Sequence, residues 1–250
     1  MFNGALRDLA LSGVQWELSE FPTVVSQNTQ KQAVQKPGVN GAGRATPVVV
    51  PPIAPVQSIS LDTVRSMASR PTDIDALKRM IQEFNHPLRG GVTNTVLPHT
   101  GQGDLLILTD IPSSDDDATG QILSGSVGEL MDKMLAAIGL TRDNVSIIPM
   151  LFWRTPGGRS PSREEIDLAR PFVDKAIELL APRVILTLGS LPASEYANVN
   201  LAKSHGAPVV LENGITVIPI FHPNYLILKP AAKRDVWTAL QNMQNILKNA

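Results

Sequence analysis

Cysteine is absent from the 250 residues, which excludes disulfides, thiolate nucleophiles and any iron-sulfur or zinc site built on thiolates. No stretch approaches the roughly 20 consecutive apolar residues of a membrane-spanning helix, so no membrane segment is expected. Residues Met1 to Gly13 carry only Arg7, with Asp8 beside it, and lack the charged start and long apolar run of a secretory signal. A cytoplasmic location is the expectation. Charge of one sign is also lacking. The formal net charge is −1, and that balance does not announce a nucleic-acid partner as a strongly basic domain would. The distribution is uneven: residues 101–150 hold 2 Lys+Arg against 8 Asp+Glu, and residues 151–250 hold 11 against 8. A localised basic rim is compatible with this pattern; a basic face is not evident. There is no internal repeat of 20–50 residues. A glycine-rich phosphate loop is missing after the first strand-like run, where Pro112-Ser113-Ser114-Asp115 offers acid instead. That argues against a nucleotide-binding α/β protein.

Hydrophobic residues make up 43% and charged residues 18%, an ordinary globular composition. The chain divides into an N-terminal helix (1–20), a flexible linker (21–58) and one domain (59–250). Residues 5–19 read as a short helix with Leu6, Leu9, Leu11 and Trp16, weakened by Gly13; it is a candidate contact for another protein. From Phe21 to about Ser58 the chain is rich in Val, Gln, Pro and Gly. Pro37, Pro47, Pro51, Pro52 and Pro55 fit neither helices nor central strands. A helix is expected from Thr72, where Thr72 and Asp75 stand at capping-box spacing ahead of Leu77, Met80, Ile81 and Phe84.

Four short apolar runs then read as buried strands: 105–110, 145–150, 183–188 and 215–220. Helices are expected between them, at 126–139, closed by Gly139, and at 163–180, opened by a capping box of Ser162 and Glu165. This alternation predicts a three-layer α/β/α fold with a central four-stranded, mainly parallel sheet. Ligand crevices in such sheets open at the carboxyl ends of strands, and Asp110, Arg154 and His222 all follow strands at that edge.

From Thr109 onward the motifs resemble the thermostable-type, family-four uracil-DNA glycosylases of bacteria and archaea. The family's Gly-Glu-Ala-Pro-Gly falls on Thr109, Asp110, Ile111, Pro112 and Ser113; its acidic loop on Asp115–Asp117 and Gly120; and its helix entry on Gly125, Gly128 and Leu130. Its Arg-Pro-Pro loop and following helix start resemble Arg154, Thr155 and Pro156, then Pro161 to Ile166. Val-Ile-x-x-Leu-Gly matches Val184 to Gly189, and the His-Pro motif matches His222, Pro223, Asn224, Tyr225 and Leu226, followed by Lys233, Arg234, Val236 and Trp237. The likeness covers about residues 84–247. A weaker one, over 6–18 and 61–85, is similar to the alphaproteobacterial branch.

The resemblance implies hydrolysis of the N-glycosidic bond of uracil or a related damaged base in DNA, as in base excision repair. Asp110 would support the cationic sugar or orient water, and His222 would donate to the base oxygen that gains charge. Taken singly, Asp110 also reads as a strand-end or capping Asp and His222 as a loop histidine rigidified by Pro223. DNA is the implied partner, as a single strand or with the base rotated out. Ile111, Pro112, Leu123, Pro149, Pro223 and Asn224 would surround the base. Tyr225 and Leu226 would form a wedge, and Arg154, Arg159, Arg163, Lys229, Lys233 and Arg234 a phosphate rim. Asp115–Asp117 reads as a solvated loop rather than a metal site.

Three departures stand out. The family's base-reading Asn falls on Pro149, which has no side-chain donor or acceptor. Its stacking Phe falls on Leu123. Two of its cluster cysteines fall on Trp153 and Ala169, with His86 near a third, so no iron-sulfur cofactor is expected and no metal site. Asp in place of Glu at 110 also shortens the carboxylate by a methylene. These losses leave a second reading open: a catalytically silent relative acting as a DNA- or protein-binding module.

Overall fold

The computed structural model describes residues 60–249. The helix expected at 5–19 and the linker expected at 21–58 lie outside the described residues. Helix α1 (Leu61–Ala68) starts at Ser60, whose side chain accepts the Thr63 N–H, and α2 (Ile74–Glu83) starts at Asp73, whose carboxylate accepts the Ala76 N–H. The α2 cap is therefore Asp73 rather than Thr72: the carboxylate one residue on reaches the first free amide. Strand β1 (Leu105–Thr109) leads to α3 (Ser114–Thr119) and α4 (Gly125–Ala137). Strand β2 (Val145–Pro149) precedes α5 (Arg163–Leu180), which opens with the expected capping box of Ser162 and Glu165. Next come β3 (Val184–Leu188), α6 (Ser190–Ala197), α7 (Leu201–Ser204), β4 (Val209–Val210) and β5 (Thr216–Ile220). The chain closes with α8 (Pro223–Leu228) and α9 (Lys233–Asn249).

The sheet order is β2-β1-β3-β5-β4, parallel throughout except for the antiparallel β4. The four expected strands are all present, and the fifth is a two-residue edge strand too short to leave a periodic signal. Alternation along the strands divides the core in two. Leu106, Leu108, Ile148, Ile185 and Val217 face one way, against α1, α2 and α5. Leu105, Ile107, Val145, Ile147, Val184, Leu186 and Ile218 face the other, against α4, α8 and α9. Apolar surface on both faces of every long strand is what requires helices on both sides. Among the described residues no helix is long and apolar enough to cross a membrane.

The run Asp115–Asp117 is not a solvated loop. It forms half of α3, and Asp116, 5% exposed, accepts from the Ser113 N–H and from the Ser124 N–H and hydroxyl at 2.7–2.9 Å. Asp117 accepts from the Thr93 and Asn94 amides at 2.8 and 3.1 Å. Acids placed at a helix start find backbone donors there and act as braces.

Between α2 and α5 lies an aromatic cluster. The fully buried Trp153 stacks on His86, with centroids 4.5 Å apart and planes at 9°, and it meets Phe84 and Phe152 at 6.1 and 5.6 Å. The Trp153 indole N–H donates to Thr95 at 3.2 Å. His86 Nδ1 accepts the Leu88 N–H, which leaves the ring proton on Nε2 to donate to the Glu165 carbonyl at 3.1 Å. Burial lowers the pKa of this imidazole, so the stack is neutral. Trp153→Ala removes the largest fully buried side chain and is expected to cost about 3–5 kcal/mol in denaturant unfolding of the full chain. A loss below about 1 kcal/mol would show that the cluster tolerates the void.

Candidate active site

A cleft of about 410 Å³ opens at the carboxyl ends of the strands, lined by Thr109, Asp110, Ile111, Pro112, Leu123, Arg154, His222 and Asn224 among others. Sheet order explains the meeting of residues 112 positions apart. Asp110 follows β1 and His222 nearly follows β5, and β3 lies between these strands. Beyond β3 comes Gly189, with φ +98°, a conformation L side chains rarely adopt. A β-carbon there would stand 3.3 Å from Asp110 Oδ2 and 3.7 Å from His222 Cβ. Asp110 and the Cβ of His222 thus both border the bare backbone of Gly189.

The Asp110 side chain caps no helix, since α3 is capped by Ser113. Its Oδ1 accepts only the adjacent Ile111 N–H, at 3.0 Å, and no cation pairs with it among the described residues. Burial raises its pKa, and the Ile111 amide partly offsets that rise. His222 caps α8: its Nδ1 accepts the Asn224 N–H at 3.2 Å, and Pro223 takes the first helical position. Its Nε2 lies 3.2 Å from Thr109 Oγ1. Burial drives the imidazole down to about 4, against a smaller opposing pull from Asp116, so the ring is neutral at pH 7.

Leu123 forms part of the wall at φ 51°, the left-handed region unusual for a residue with a γ-branched chain. Its carbonyl and that of Ile122 are clamped by the Arg142 guanidinium at 2.6 and 2.9 Å, and Arg142 is anchored in turn by Asp132 at 2.7 Å. Arg154 stands at the cleft with no ion pair or hydrogen bond among the described residues.

Several expected site residues stand elsewhere. Pro149, Arg159, Pro223, Tyr225, Leu226 and Lys229 are not among those lining the cleft. Pro149 ends the edge strand β2, where a missing N–H is tolerated, and is buried. Arg159 holds Glu165 through both carboxylate oxygens, at 2.5 and 2.9 Å, and this keeps the Glu165 pKa at about 2. Arg163 bridges Asp167 and Glu195, both at 2.7 Å. Leu226 is 1% exposed and packs into the core, so it is no wedge; the outward apolar residues of α8 are Tyr225, Ile227 and Leu228, the last 69% exposed. The sequence reading assigned no role to Thr109, Gly189 or Arg142.

A cleft with an unpaired acid and a neutral imidazole, set at the carboxyl edge of a three-layer sheet, defines a class of α/β protein that places chemistry between strand ends. The family described as the uracil DNA glycosylase superfamily matches residues 99–242, more than half the chain. The chain is similar to the type-4 uracil-DNA glycosylase of Thermotoga maritima, with 32% identity over 148 residues, 56% of this chain and 76% of that protein. It is similar also to the type-4 uracil-DNA glycosylase of Pyrobaculum aerophilum, at 31% over 181 residues, 65% and 89% of the two chains, and to that of Archaeoglobus fulgidus, at 27% over 143 residues, 54% and 72%. This chain belongs to the uracil-DNA glycosylase superfamily.

The iron-sulfur cluster that the resemblance implies does not fit these residues. The positions that would supply thiolates hold Trp153 and Ala169, with His86 beside them, and the Trp153–His86 stack fills the space. Among the described residues no group of three or more His, Cys, Asp or Glu is placed to hold a metal ion.

Because the folded state favours a protonated Asp110, its ionised form lowers stability at neutral pH, and that cost disappears as pH falls from the raised folded value toward the ordinary 3.8. Asp110→Asn, which keeps an acceptor for the Ile111 amide, is therefore expected to melt about 2–4 °C above the parent chain at pH 7. The gap should close toward pH 4 in thermal scans, and an equal or lower melting temperature at pH 7 would contradict the reading of Asp110 as an uncompensated carboxylate.

Proposed function

We propose that this chain hydrolyses the N-glycosidic bond of uracil or a related deaminated base in DNA, a base-excision-repair reaction, with weak or altered base specificity. The observation that carries the reading is the pairing of Asp110 and His222 in one cleft, each with an environment matched to its part. Leaving of the base makes the sugar oxocarbenium-like and the base anionic. An ionised Asp110 stabilises the first or orients the attacking water, and the neutral His222 donates Nε2–H to the base oxygen that gains charge. A neutral imidazole serves as donor without drawing the carboxylate into an ion pair.

A cleft of this size takes one base, which must arrive from a single strand or by rotation out of the duplex. Arg154, uncommitted at the cleft, is suited to a backbone phosphate. The exposed Ile227 and Leu228, with Tyr225, offer the apolar wedge in place of Leu226. Pro149 brings no polar side chain to the base edge, and Leu123 offers an aliphatic rather than an aromatic face, so base contact falls to the backbone around Ile111 and Pro112 and to the Asn224 side chain in the cleft wall. The chemistry uses side chains alone, with no cofactor.

Incubation of the full chain with uracil-containing single- and double-stranded oligonucleotides should give alkali-labile abasic sites. Asp110→Asn and His222→Gln should each lower the rate by about a hundredfold or more. The rate should fall on acidification as Asp110 takes up its proton and hold level from there to pH 8, since His222 stays neutral above about 4. Salt-dependent DNA binding with no product from the parent chain would instead support a silent relative.

Arg154→Ala is expected to weaken DNA binding about equally for uracil-containing and ordinary strands and to lower the slope of log affinity against log salt by about 1. An unchanged slope would remove Arg154 from the phosphate contacts.

A further inference from the structure

Thr109 ends β1 with its side chain 4% exposed at the cleft wall. Its position is set by the sheet: its carbonyl accepts the Met150 N–H at 2.9 Å, and a β-branched side chain in a strand has few accessible rotamers. His222 Nδ1 faces a backbone donor, the Asn224 N–H, and so carries no proton. The single proton of the neutral ring is therefore on Nε2, and Nε2–H donates to Thr109 Oγ1 at 3.2 Å. The imidazole is held at both nitrogens. One hold comes from the turn that starts α8, the other from the strand that carries Asp110.

We propose that Thr109 is a positioning residue for His222, its hydroxyl being the acceptor that fixes the imidazole plane and keeps Nε2–H presented in the cleft for the base oxygen. The inference rests on the functional reading above for its catalytic meaning, while the geometry it asserts stands without it. The family motif that this stretch resembles has glycine at the position of Thr109, and glycine has no hydroxyl. The device therefore belongs to this chain. Without it the ring would be fixed at Nδ1 alone, free to swing about that contact, and a buried N–H would lack a partner whenever the cleft is empty. With it, the donor waits in place beside the carboxylate, and the arriving base oxygen shares or takes over the bond.

The test compares the full-length parent chain with Thr109→Val, which keeps shape and loses the hydroxyl, and Thr109→Ser, which keeps the hydroxyl. In chains carrying ¹⁵N-histidine, long-range ¹H–¹⁵N spectra report the state of each of the four imidazoles, with His222→Gln assigning the signal. The parent chain and Thr109→Ser should show His222 as the Nε2–H form with a solvent-protected ring proton. In Thr109→Val that proton should exchange too fast to observe. In the oligonucleotide assay kcat should fall about tenfold in Thr109→Val with KM unchanged, and Thr109→Ser should stay within about twofold of the parent. A parent-like ring signal in Thr109→Val, or its loss in Thr109→Ser, overturns the inference. Should Thr109→Val not fold, Thr109→Ala is read against Thr109→Ser by the same signal. If the parent releases no base, the functional reading fails, and the imidazole spectra still decide whether Thr109 holds the ring.

Discussion

The site depends on a place where a side chain is missing. β3 runs between β1 and β5, so whatever follows it is wedged between the two groups that carry the chemistry. Residue 189 has no β-carbon, and at φ +98° any other residue would be strained as well as crowded by the Asp110 carboxylate. Glycine resolves both demands at once. The turn proceeds directly into α6, leaving the ends of the flanking strands to face each other across backbone. Parallel topology supplies the rest, because it brings all the carboxyl ends to one edge.

A cleft built this way opposes the stability of the domain that holds it. Asp110 is a largely desolvated carboxylate with one neutral donor, His222 is an imidazole kept from its proton, and Leu123 sits in a left-handed conformation. Strain and desolvation of this kind persist only where the surroundings over-determine them. The surroundings do so here with ordinary means. Asp116 ties the start of α3 to Ser124, Arg142 grips the two carbonyls around Leu123, and the α8 cap holds His222. The bracing groups are charged or polar but aimed largely at backbone, which leaves Asp110 and Arg154 in the cleft without an ion-pair partner among the described residues.

What the sequence made legible follows from which signals are local. Continuous apolar runs marked the four long strands, and the Ser162–Glu165 box marked the start of α5, because burial on both faces and a capping box are written in neighbouring residues. Asp110, Arg154 and His222 could be placed on one edge because strand ends are legible once the strands are. Failures came where the deciding partner is distant or the element is short. β4 has two residues, too few for a period. Asp73 displaced Thr72 by one position. Asp116 looked like solvated charge because its partners, Ser113 and Ser124, reveal themselves only when α3 and α4 meet. Leu226 and its neighbours differ in burial by the phase of a six-residue helix, which sequence alone does not fix. Thr109 and Arg159 have partners 113 and 6 residues away, and neither pairing leaves a pattern along the chain.

The loss of the thiolate positions and the loss of the polar base reader have different physical meanings. An aromatic stack in place of Ala-sized or thiolate-bearing positions is a packing solution: Trp153 and His86 satisfy their own polar atoms and fill their own volume. Pro149, buried at the end of β2 and outside the cleft lining, brings no polar group to a base, so polar side chains open to a base are those of the wall, such as Asn224. The two losses are thus of different kinds: one is repaired inside the core by an aromatic stack, and the other leaves any polar contact with a base to the side chains that remain in the cleft wall.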